Sequence, residues 1–203
     1  YFHEMGHNHQ KGDWTFNGTG EVTCHLFARY AFENLCKRPL ADQRGHKNGD
    51  FAKNFRRYLA AGPDFEKWKS DPFLALYMYD QLLVAFGWDT YKKVFAEYRD
   101  LPGDKRPKSE ELKRDQWMTR FSRATGKNLG PFFQAWGVPT SEGARKSISD
   151  MPEWMPADWP VLKNTDASAF NCSCGRRISI RKKPLCQTPS AARNGTLSPP
   201  SGT

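Results

Sequence analysis

Between residues 21 and 147 the chain is punctuated for helices and for almost nothing else, which restricts the fold more than any other property of the sequence. Glu21 to Leu35 carries Val22, Leu26 and Tyr30 on one stripe and Phe27, Ala31 and Leu35 on another. Apolar residues on both sides predict a buried helix. A second helix, Asp50 to Ala61, stops at Gly62, a residue favoured just past helix ends. Asp71 followed by Pro72 reads as a cap with proline at the first helical position, opening a helix that runs to a stop at Gly87. Asp89 caps a further helix through Tyr98, and Ser109 caps another that closes at Gly126. A short helix ends at Gly137, and one more covers Ser141 to Ser147. Alternating β-branched runs are scarce, so the expected class is all-α, with loops at 36–49 and 100–108.

Seven tryptophans within 203 residues require a packed body, although polar helix surfaces lower the mean hydropathy. The division predicted is a helical body over 1–160 and a Ser-, Pro- and Gly-rich basic tail over 161–203 that does not pack. The net charge of +9 is mostly the tail's, since seven Lys and Arg stand there against one acid, Asp166. The near-neutral body gives no reason to expect nucleic acid as a partner. No apolar run approaches the roughly 18 residues that span a bilayer. The five cysteines show no paired C-x-x-C spacing, and Cys24 and Cys36 lie too far apart along one helix to bond to each other.

The chemistry is concentrated at the start. His3, Glu4 and His7 form H-E-x-x-H. Helical residues four apart differ by about 400° of rotation, so His3 and His7 face the same way and can offer two imidazoles to one metal. Glu4 lies beside them, placed to act as a general base. A catalytic zinc takes a third protein ligand and keeps one position open. Glu21 is the better candidate, because the turn-rich segment between it and His7 can reverse the chain; His9 is a rival on a different face. His25, one turn after Glu21, is a candidate for orienting that carboxylate or simply a packed histidine. Trp14 and Phe16 either border a substrate groove or staple the two helices together. Tyr77 and Tyr79 are of the right type for a transition-state donor, or are core.

The stretches HEMGHNHQ, GTGEVTCHLFARYAFENL, MYDQLLVAFGWDTYKKVF and DQWMTRFSRATGKNLGPFFQAWGVP closely resemble the enhancin-like mucin peptidase family, over about residues 1–156. The resemblance implies a gluzincin-type zinc metallopeptidase with one Zn2+, held by His3, His7 and Glu21, and with Glu4 as base. It implies cleavage of mucin-like O-glycosylated proteins, at the cell surface or after secretion, by a monomeric catalytic domain within a longer multidomain chain. It also implies that the chain is the helical C-terminal part of that domain, its upstream sheet lying outside this sequence. A non-catalytic binding or regulatory protein that keeps the fold is the alternative.

Overall fold

The computed structural model describes residues 1–160, and within them the fold is all-α. The tail predicted over 161–203 lies outside the described residues. Eight helices follow in order: α1 (Phe2–His7), α2 (Gly20–Asn34), α3 (Asp50–Ala60), α4 (Phe65–Ser70), α5 (Pro72–Arg99), α6 (Glu110–Thr125), α7 (Gly130–Ala135) and α8 (Glu142–Lys146). Among the described residues the only β contact is a single parallel bridge between Asn128 and Glu153. There too, no helix is long and apolar enough to cross a membrane.

Several helix ends follow their caps. The Asp71 carboxylate accepts from the backbone N–H groups of Phe73 and Leu74, and Pro72 opens α5. The hydroxyls of Ser109 and Ser141 accept from Leu112 and Ala144 at the starts of α6 and α8. The stop read at Gly87 is present as a break within α5: Gly87 takes a non-helical conformation (φ 72°, ψ 173°), and a second helical stretch follows it to Arg99. One reading of the punctuation needs correction. The Asp89 carboxylate, expected as a cap, pairs instead with the Lys92 ammonium at 3.2 Å. Helix α4 was not anticipated; Asp64 caps it, but Trp68 is its only buried residue, too little periodic signal in six positions.

Helix α5 forms the middle of the body, packed against α2, α3, α4 and α6. Around it Trp68, Trp117, Trp136, Tyr79, Tyr91 and Tyr98 are fully buried. The tyrosines find partners within this core where they can, as when the Tyr91 hydroxyl donates to the Tyr79 carbonyl at 2.7 Å. The stretch after α8 closes the body. Asn128 donates its backbone N–H to the Pro152 carbonyl, Trp154 returns one to Asn128, and Trp154 and Trp159 pack on Phe132.

One buried ionic cluster fixes α2 on α5. Asp80, wholly buried, forms an ion pair with Arg29 of α2 at 2.9 Å and accepts from His46 of the 36–49 loop at 2.8 Å. Burial lowers the Arg29 pKa, and the charge of Asp80 opposes that shift. The pair sets the rotation of α2 and with it the face that Glu21 presents.

Candidate metal centre

Helix α1 lies directly on α2, and Gly6 makes this possible. A Cβ built on Gly6 would lie 2.3 Å from the Cys24 carbonyl oxygen, so no side chain fits between the two backbones. The same interface is held at the start of α1 by Phe2, whose ring meets that of Phe32 of α2 edge-on at 5.1 Å. The connection from α1 to α2 is pinned to the core. Trp14 packs against Phe95 and Tyr98, and Phe16 stacks on Trp68. Trp14 and Phe16 are 2% and 3% exposed, so neither borders a substrate groove.

This docking brings His3, His7 and Glu21 together. The Nε2 atoms of His3 and His7 are 3.2 Å apart, and the Glu21 carboxylate oxygens lie 3.2 Å from His3 Nε2 and 3.8 Å from His7 Nε2. Glu4 has an oxygen 3.9 Å from His3 Nε2 on the solvent side, with its side chain 79% exposed. His9 turns away, its ring 5.5 Å from that of Phe27, and does not join the cluster.

The hydrogen bonds behind the two rings determine where their lone pairs point. Gln10 donates its amide N–H groups to the Gly20 carbonyl and the Thr23 hydroxyl, which leaves its oxygen to accept from His7 Nδ1 at 2.9 Å. Cys24, buried, donates its thiol to the Glu21 carbonyl at 3.1 Å, so its sulfur accepts from His3 Nδ1 at 3.6 Å. Burial first and the Glu21 charge second push the Cys24 pKa up to about 11, which keeps the thiol protonated for that role. With both Nδ1 atoms carrying the hydrogens, both Nε2 lone pairs face one point and a carboxylate. Two lone pairs 3.2 Å apart repel unless a cation lies between them.

The donor set fits zinc. Ligand bonds of about 2.0–2.1 Å in a tetrahedral site place neighbouring donors about 3.3 Å apart, and the three separations here are 3.2, 3.2 and 3.8 Å. The thiol of Cys24 falls within 4.8 Å of the other donors, but it contacts the Nδ1 side of the His3 ring, away from the Nε2 atoms. Three protein donors and an open side suit a catalytic rather than a structural ion.

Of the two roles open to His25 in the sequence, the structure shows the packed one. His25 has no hydrogen bond to Glu21 among the described contacts; its ring lies on His3 at 4.4 Å and on Phe73 at 5.3 Å. Burial, then the positive fields of His3 and Arg29, lower its pKa to about 4, so it is a neutral packing surface. Tyr79 is buried beside Trp117 and Tyr77 lies beside His46 and Phe55; neither is among the residues gathered at the centre. Gln10 and Cys24 went unrecognised in the sequence, and the one local sign was that Gln10 stands three residues after His7.

Two substitutions test this construction. Gly6→Ala should lower thermal stability by about 1–3 kcal/mol, as overpacked sites do, and should weaken zinc binding because α1 must lift from α2. Unchanged melting and zinc affinity would show that the close approach is not needed. Gln10→Ala should weaken zinc binding about 10–100-fold, the usual effect of removing a partner behind a ligand, with little loss of helicity by circular dichroism.

Residues 1–137 match the family described as Peptidase M60, enhancin and enhancin-like. The chain is 39% identical over 154 residues to TRPM8 channel-associated factor 3 of Mus musculus, covering 75% of this chain and 16% of that protein. It is 35% identical over 161 residues to a TRPM8 channel-associated factor homolog of Danio rerio, covering 78% and 17%. The chain thus spans about a sixth of the length of these curated relatives. A crystal structure of a functionally unknown conserved protein from Bacillus anthracis str. Ames superposes with a TM-score of 0.65 at 32% identity, over 75% of this chain and 31% of that one. With its His3, His7 and Glu21 cluster inside the matched span, the chain belongs to the enhancin and enhancin-like M60 peptidase family.

Proposed function

We propose that this chain carries the zinc-binding and proton-transfer residues of a metalloendopeptidase that hydrolyses mucin-like O-glycosylated proteins. The observation that carries the reading is the convergence of the His3 and His7 Nε2 lone pairs and the Glu21 carboxylate, with both Nδ1 atoms engaged behind. His3, His7 and Glu21 would hold the ion. A zinc ion bound there supplies Lewis acidity, polarising a peptide carbonyl and making water acidic near neutral pH.

The residues of the chain do the rest. Gln10 and Cys24 keep the imidazoles in the tautomer that binds. Glu21 contributes the negative charge that offsets the cation. Glu4, exposed beside His3, takes the proton of the attacking water and gives it to the leaving amine. The His25 ring covers part of the His3 ring, and Phe73 packs on His25 in turn.

A second reading is supported by the names of the similar vertebrate proteins, which are TRPM8 channel-associated factors. Under it the same fold serves as a binding module for a channel or another membrane protein, and the metal holds α1 on α2. Zinc content and cleavage of a purified O-glycosylated mucin, measured on one sample, separate the two. One zinc per chain with cleavage supports the peptidase; one zinc with no cleavage, including within the longer parent protein, supports the binding module.

A further inference from the structure

Positive charge is unevenly spread over the body. The tail accounts for six of the nine net charges, which leaves +3 for residues 1–160. Residues 36–57 alone hold seven Lys and Arg against two acids, Asp42 and Asp50, a net +5, so the rest of the body is net negative. Among the described residues no Lys or Arg of this segment forms an ion pair, whereas seven elsewhere in the body do. Arg44, Lys47, Lys53, Arg56 and Arg57 are exposed. Among the described residues their side chains make no hydrogen bond either; the Arg44 guanidinium lies over the Phe73 ring, 5.5 Å from its centroid.

The fold gathers these charges. Phe51, Phe55, Tyr58 and Leu59 bury the inner side of α3, and Phe55 stacks on Trp136 at 4.4 Å. Lys53, Arg56 and Arg57, three and four residues apart, share the outer side. The 36–49 loop brings Arg44 to them. Gly45, at φ 92°, lies so close to the Phe51 ring that a Cβ would overlap it, and its carbonyl accepts from the Phe51 N–H at 3.2 Å. A dent of about 260 Å³ opens between Arg44, Asp50, Lys53, Asn54 and Arg57. Two guanidiniums and an ammonium take phosphate oxygens. The Asp50 carboxylate accepts hydroxyls and repels a bare phosphate. A phosphorylated polyol ring satisfies both. Lys47 and Arg56 do not line the dent and extend the charge beyond one such ring, as contact with an anionic leaflet requires. Phe51 is buried and Phe73 lies under Arg44, so neither ring is free to stack a nucleic-acid base.

We infer that the face made by the 36–49 loop and α3 docks on an anionic membrane and receives a polyphosphorylated inositol headgroup in its dent, with Arg44, Lys53 and Arg57 as the phosphate contacts. None of these residues belongs to the metal cluster, so the docking face goes beyond both readings of that centre.

The test is cosedimentation of the 203-residue chain with two kinds of phosphatidylcholine vesicle, one carrying phosphatidylinositol bisphosphate and the other enough phosphatidylserine to match its charge. The phosphoinositide vesicles should bind about tenfold tighter, the gain of one charge-assisted hydrogen bond. Lys53→Ser combined with Arg57→Ser should remove this preference. Arg181→Ser combined with Lys182→Ser takes the same charge from the basic tail; it should weaken binding to both vesicles alike and leave the preference intact. Lys53 and Arg57 are exposed and lie outside the metal cluster, so the α3 variant should keep the wild-type circular dichroism spectrum and zinc content. Equal binding to both vesicles overturns the docking face, as does a preference that survives the α3 substitutions or is lost with the tail substitutions. Inositol trisphosphate bound in solution as tightly as the vesicles would give the dent to a soluble ligand, and an oligonucleotide bound as tightly through Lys53 and Arg57 would give the face to nucleic acid; either result overturns membrane docking.

Discussion

Glu4→Gln is expected to retain one zinc per chain and to lose about 10²–10⁴-fold in kcat on a mucin substrate, the usual contribution of a positioned general base. The two halves of this expectation come from different features. Glu4 has no part in the three-donor cluster, and its nearest approach to His3 Nε2 is 3.9 Å, so the substitution leaves the ligands untouched. Its carboxylate is nevertheless the free acid nearest the open side of the centre, and glutamine of the same size cannot carry a proton. A parallel fall in zinc content would mean that Glu4 is a ligand. Undiminished turnover would mean that proton transfer is performed elsewhere.

Glu21→Ala should have a still larger effect on metal. Removing a hydrogen-bonding partner behind a ligand costs about 10–100-fold in affinity, and removal of a direct donor should exceed that. The electrostatics point the same way, since without Glu21 the two imidazoles remain 3.2 Å apart with no negative charge beside them apart from Glu4. The chain should still fold, because the Glu21 side chain is 55% exposed and the α2 core residues Val22 and Leu26 are unaffected. Competition with a chromophoric zinc chelator would measure the loss. Affinity within threefold of wild type would remove Glu21 from the centre and reopen the question of the third ligand.

The clustering of His3, His7 and Glu21 was legible in the sequence because most of its geometry is local. Four residues along a helix fix the relation of His3 to His7, and only the chain reversal before Glu21 had to be supplied. The capped helices were legible for the same reason, each start being a contact between a side chain and a backbone N–H two or three residues on. What escaped depends on docking. The roles of Cys24 and Gln10 exist only because Gly6 lets α1 rest on α2, and no spacing along the chain encodes that contact. Trp14 and Phe16 sit beside the motif in sequence yet bury their rings against Phe95, Tyr98 and Trp68.

The enhancin-like family assignment and the helical body stand apart from the question of chemistry, which turns on what the cluster binds. Zinc K-edge X-ray absorption on the zinc-loaded chain tests that most directly. The account predicts one zinc per chain, with two imidazole nitrogens and oxygen neighbours at about 2.0–2.2 Å and no sulfur near 2.3 Å. A zinc–sulfur distance near 2.3 Å would make Cys24 a ligand and close the site. A chain that takes up no zinc would contradict the account at its foundation.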